Sequence, residues 1–141
     1  MYTAVVLYPQ ECQKLKSLLN EVAGWSPEGF VWKTAAGEPL PHHMTLNMNG
    51  LRDGPNPRLV IGDEVSLTVD GFCWDHNLGV CAARVTNAVK GVERVNSVNA
   101  QPHITMCILP GCKPFNSNKL NWSRAHELTT PLVVSGVVED R

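Results

Sequence analysis

A period-two pattern that occurs twice constrains this chain more than any other feature. Pro41-His42-His43-Met44-Thr45-Leu46 and Pro102-His103-Ile104-Thr105-Met106 each place a His two residues before a Thr, and an apolar residue follows the Thr. Successive side chains of a β-strand point to opposite faces. As strands, the first segment therefore turns His43 and Thr45 one way and Met44, Leu46 and Met48 the other. The second turns His103, Thr105 and Cys107 one way, with Ile104, Met106 and Ile108 as an apolar stripe behind them. Two such strands side by side would hold two imidazoles and two hydroxyls over one cleft and bury their backs in a core. His42 adjoins His43, so alternation predicts that it faces the opposite side, as a structural residue or one that supports the site from behind.

The rest of the chain reads as strands around one helix. Residues 2–8 are β-branched and apolar and predict a buried strand that Pro9 ends. From Pro9 to Val22 the residues Cys12, Leu15, Leu18, Leu19 and Val22 recur at spacings of three and four, one face of an amphipathic helix that Gly24 would stop. Residues 30–34 predict a short strand, and 37–41 a loop leading into the first motif. Residues 52–57 are turn-rich. Val65 to Trp74 alternates Val65, Leu67 and Val69 against Ser66, Thr68 and Asp70, and the connection at 75–77 leads to a return strand over 78–85. Residues 87–100 predict irregular structure or a short helix, 102–109 the second motif strand, 113–123 a short helix, and 127–138 one or two final strands around Pro131. The two motifs lie in different halves of the chain, which suggests two similar halves rather than a short-period solenoid.

Composition excludes several classes. At 141 residues the chain fits a single domain, 1–141, with a core that needs no disulfide or metal to support it. No segment approaches the about 18 consecutive apolar residues of a membrane helix, and the opening Met1-Tyr2-Thr3 runs straight into a strand pattern without a basic leader, so a cytoplasmic setting and no membrane partner are expected. Five cysteines, an odd number with no Cys-x-x-Cys, predict reduced thiols. Twelve basic residues against thirteen acidic leave a formal charge of -1, which does not suit a protein that grips a long nucleic-acid duplex. Zinc is not expected. His103 and Cys107 stand about 13 Å apart along a strand, and no His-x-x-x-His accompanies them. His76 and His126 fall at predicted turns.

Paired imidazoles and hydroxyls suit phosphodiester cleavage. The reaction needs a base to take a proton from water or a ribose hydroxyl and an acid to protonate the leaving oxygen. Imidazole titrates near pH ~6.5, so one neutral and one protonated copy can coexist near neutrality, while threonine hydroxyls can donate to nonbridging phosphate oxygens. Which His is acid stays open at this level.

The tetrads His43-Met44-Thr45-Leu46 and His103-Ile104-Thr105-Met106 resemble, without a substitution, the paired signature of the two-histidine (2H) phosphoesterases. That superfamily includes bacterial RNA ligase-like cyclic phosphodiesterases, the cyclic phosphodiesterase domain of fungal tRNA ligases and phage proteins that cleave cyclic oligonucleotide signals. The resemblance implies an α+β fold, bilobal and mainly antiparallel, with flanking helices, and with the motifs on neighbouring central strands of a cleft. It implies His43, Thr45, His103 and Thr105 as the catalytic set. The implied activity is a cofactor-free, metal-independent phosphodiesterase acting on a nucleotide, a small cyclic oligonucleotide or an RNA end, through a 2′,3′-cyclic phosphate or a 2′,5′ linkage. The chain is short for the superfamily, which leaves fewer elements to wall the groove. The alternative is a noncatalytic nucleotide- or RNA-end-binding module, against which two intact His and Thr pairs argue. Tyr8, Trp32, Phe72, Trp74 and Trp122 are candidates to stack on a base, with Trp74 favoured because it ends a strand beside a polar turn. Lys33, Arg52 and Arg84 are candidates for phosphate contact.

Overall fold

The computed structural model describes residues 1–23 and 28–141. The element order is β1 (Thr3–Leu7), α1 (Pro9–Ala23), β2 (His43–Asn47), β3 (Glu64–Asp75), β4 (Val80–Lys90), β5 (Glu93–Arg94), β6 (His103–Ile108) and β7 (His126–Asp140). Short 3-10 helices cover Leu51–Asp53, Pro114–Lys119 and Trp122–Arg124. The α+β class with mainly antiparallel pairing is as expected. The predicted stop of α1 at Gly24 lies outside the described residues.

Strands lie in the order β3-β7-β1-β2-β6-β4-β5, and β3 also pairs with β4, so six strands close into a barrel. Among the described residues, closure leaves β5 as the one appended strand, formed where β4 turns back at Gly91. The inward residues fill the barrel: Val5, Leu7, Met44, Leu46, Val65, Leu67, Val69, Ile104 and Met106 belong to one buried cluster. Helix α1 lays Leu15 and Leu19 onto that cluster, one turn apart on a single face. A second cluster of Leu40, Cys73, Val80, Ala82, Ile108 and Leu120 forms outside the barrel, where residues from the 31–40 segment and the later 3-10 helices pack on β3, β4 and β6.

Several local expectations are corrected, each by a nonlocal cause. Residues 30–34 form no strand; Val31 and Lys33 make only isolated bridges to Ile108 and Pro39. The short helix expected over 113–123 is present as two 3-10 helices, and 87–100, expected to be irregular or a short helix, contains no helix and begins instead with the end of β4 at Lys90. The final strand is continuous through Pro131. The register between β3 and β7 jumps from Val69↔Leu132 to Gly71↔Glu127, so Pro131 sits where no ladder partner requires its missing N–H.

The register between β4 and β6 also shifts, from Cys81↔Cys107 to Ala82↔Thr105, leaving Met106 as an extra residue on β6. That bulge reverses the alternation beyond it. Cys107 joins the barrel interior with Met106, and Ile108 faces outward into the second cluster, so neither lies on the side that strict alternation predicts. The irregularity of β3 at Asp70 acts similarly, placing both the odd-numbered Val65, Leu67 and Val69 and the even-numbered Phe72 and Trp74 against the inner core.

Candidate active site

The motif strands β2 and β6 are antiparallel neighbours, paired at Met44↔Ile104. Because Met44 and Ile104 point into the barrel, the flanking residues of both strands point out of it. Antiparallel register through that pair sets His43 on the Thr105 side and Thr45 on the His103 side. Each imidazole thus faces the other strand's hydroxyl, and the two histidines occupy a diagonal that spans about 7–8 Å, somewhat less between Cβ atoms. A tetrahedral phosphate between the two rings would have one imidazole on each side and a hydroxyl on each remaining corner.

These four side chains line one cleft of about 340 Å³ with Tyr2, Thr34, Glu38, Pro39, Leu40, His42, Met48, Asn99, Pro114, Phe115 and Asn118. Its walls come from the segment before β2 and from the 3-10 helix after β6, the two stretches with the least regular sequence patterns. No Lys or Arg is among those lining residues. Lys33 and Arg52 are exposed elsewhere, and Arg84, across from His103 on β4, is held by Asp70 at 2.7 Å and by Glu127 at 3.6 Å. Arg141 is not among the lining residues, but its charge acts on both His42 and His43.

Each histidine is fixed through one ring nitrogen. His103, 8 % exposed, has Nδ1 2.8 Å from the carbonyl of Gln101. A carbonyl only accepts, so Nδ1 carries the proton and a neutral His103 bears its lone pair on Nε2. Trp122 lies beside the His103 ring, with centroids 5.9 Å apart. His43 has Nδ1 2.9 Å from Nδ1 of His42, which leaves Nε2 as its other ring nitrogen, and its ring packs against Tyr2 at 5.2 Å. Burial lowers the pKa of His103, opposed by its bond to Gln101. Burial, followed by the positive charge that His42, Arg141 and His103 can carry, pushes His43 down to about 4.

The hydroxyls are placed from outside the motifs. Thr105 Oγ1 is 2.8 Å from Oγ of Ser117, which is fully buried in the 3-10 helix over Pro114–Lys119. The backbone of Thr45 is held by Ser97, whose hydroxyl donates to its carbonyl at 2.8 Å. Ser117 carried no sequence signal, since a serine in a loop is unremarkable until the chain folds back.

Three further expectations change. His42 precedes the first residue of β2, so strand alternation does not apply to it, and it lines the same cleft as His43. Met48 lies past the end of β2 and faces the cleft, exposed, rather than the core. Trp74 is half-buried against the inner core and is not among the residues that line the cleft. Among the described residues, the aromatic rings there besides the imidazoles are Tyr2 and Phe115, the latter 63 % exposed. His76 packs edge-on against Phe30. Among the described residues no group of three or more His, Cys, Asp or Glu is placed to hold a metal ion.

A barrel that presents two His-x-Thr strands to one cleft defines the class of two-histidine phosphoesterases. Residues 32–132, a span that includes both tetrads, match the family model of the fungal tRNA ligase phosphodiesterase domain. The chain belongs to that family, a family of cyclic phosphodiesterases within the 2H class. Comparison with curated proteins and with solved structures found no significant match.

Proposed function

We propose that this protein is a metal-independent phosphodiesterase that opens a 2′,3′-cyclic phosphate on a nucleotide or an RNA end. The observation that carries the reading is the placement of His43, Thr45, His103 and Thr105 around one cleft in antiparallel register. His103 acts as base: its neutral tautomer leaves Nε2 free to take a proton from water, whose oxygen attacks phosphorus. His43 acts as acid, giving its Nε2 proton to the ribose oxygen as the P–O bond breaks. The product is a phosphomonoester and a free hydroxyl, and solvent returns a proton from His103 to His43. Thr45 and Thr105 donate to the nonbridging oxygens, where negative charge builds in the transition state.

Cleft size favours a cyclic mononucleotide unit over a cyclic oligonucleotide, since about 340 Å³ sits at the small end of ligand sites. The exposed ring of Phe115 at the rim replaces Trp74 as the surface on which the base stacks. The two motif strands share a single residue pair, Met44↔Ile104, while each pairs more extensively with its outer neighbour, which supports reading the cleft as a seam between two lobes. The test is a substrate panel in excess chelator: 2′,3′-cyclic mononucleotides, 2′,5′-linked dinucleotides, and cyclic di- and trinucleotides. Turnover of the first set to a phosphomonoester is expected. Turnover of the cyclic oligonucleotides alone, or binding of all without cleavage, would replace this reading.

A further inference from the structure

We infer that His42 is a positioning residue for the acid: its Nδ1 lone pair accepts the Nδ1 proton of His43, holding the His43 ring with Nε2–H presented to the cleft. This rests on the reading of His43 as the acid. The two Nδ1 atoms lie 2.9 Å apart, so one of them carries the shared proton and the other a lone pair. Which way the bond runs follows from the chemistry. A protonated His43 has N–H at both positions, and its Nδ1 can then only donate. The bond survives the acid's charged state only if His42 is the acceptor. The same direction holds when His43 is neutral, and nothing need rotate during turnover.

The surroundings of His42 suit an acceptor. Two imidazolium rings would set N–H against N–H across the short contact, so His42 has to stay neutral whenever His43 is charged. Burial and the charge of Arg141 keep it so, while Glu38 and Glu139 act the other way. The other charges acting on His43 are Arg141 and His103. Placement of His42 is set by the backbone: its carbonyl accepts from the N–H of Leu7 at 2.9 Å, anchoring it to the end of β1. Replacing the side chain leaves that bond in place.

The experiment compares wild type, His42→Ala and His42→Asn, the last of which keeps an amide carbonyl as acceptor. Nitrogen-15 NMR of the ring of His43 reads the tautomer directly. Wild type is expected to show the neutral proton on Nδ1, His42→Ala to move it substantially to Nε2, and His42→Asn to restore it. On a nucleoside 2′,3′-cyclic phosphate, His42→Ala is expected to lower kcat about 10- to 100-fold with KM altered less than about 3-fold, within the range of a general acid's contribution, and His42→Asn to recover most of the loss. A neutral proton on Nε2 of His43 in wild type, or wild-type kcat in a folded His42→Ala protein, overturns the inference. If His43→Ala retains full activity, the acid assignment itself fails, and the tautomer data separate that failure from an error about His42 alone.

Discussion

Binding of a phosphodiester anion should draw a proton into the cleft. Free His43 titrates at about 4, and no Lys or Arg is among the cleft-lining residues that would share the charge of the phosphate. A phosphate anion about 4 Å from the imidazole at an effective dielectric of about 20 is worth about 4 kcal/mol, or about 3 pKa units. Bound His43 therefore keeps its proton well above the pH at which the free ring loses it. At about pH 5.5 the free ring is almost wholly neutral and the bound ring almost wholly charged, so each ligand brings in about 0.9 proton. The measurement uses His103→Asn, which lacks the proposed base and so preserves the substrate. Titration calorimetry with a nucleoside 2′,3′-cyclic phosphate, in two buffers of different ionisation enthalpy, counts the protons, and Kd should weaken about tenfold per pH unit over the same interval. Uptake below about 0.3 proton would refute the reasoning, as would equal uptake in the double variant His43→Ala/His103→Asn.

Other consequences are open to direct measurement. Phe115→Ala should raise KM about tenfold while Trp74→Phe leaves KM unchanged, because stacking on one base contributes about 1–3 kcal/mol; equal effects would remove Phe115 from the site. Ser117→Ala should lower kcat about 3- to 10-fold, as expected for loss of a hydrogen bond contributing about 1 kcal/mol to the placement of Thr105. In a Thr105→Ala background it should lower kcat no further, and additive losses would show that Ser117 acts elsewhere. Acid should destabilise the fold through His43. Its pKa falls from 6.5 to about 4 on folding, so the unfolded chain binds more protons between those values. Stability is therefore full above pH 6.5 and falls by about 3 kcal/mol as pH drops toward 4. Urea midpoints should show a smaller loss over that interval for His43→Asn, and identical pH dependence would count against a buried neutral imidazole.

What the residues disclose by themselves divides along the range of the forces involved. Strand alternation is local, so the orientation of His43, Thr45, His103 and Thr105 over Met44, Leu46, Ile104 and Met106 was readable, as was the helix that carries Leu15 and Leu19. The side taken by Cys107 was not, because the bulge at Met106 depends on how β6 pairs with β4. Pro131 marks a strand break only if the register on β3 is ignored. His42 is placed on the wrong face because alternation does not extend one residue beyond the strand. Phe115 and Ser117 lie on a 3-10 helix with neither a period nor a motif, and only the fold of that segment over the cleft brings Phe115 to its rim and Ser117 to Thr105.

The central claim is that His43 and His103 together perform the chemistry. Its most direct test is the rate of hydrolysis of a nucleoside 2′,3′-cyclic phosphate in excess chelator by wild type, His43→Ala and His103→Ala, with each variant shown to be folded. Wild type is expected to turn the substrate over and each variant to lose about 100-fold or more in kcat, as removal of a general acid or base entails. Undiminished turnover by either variant would contradict it.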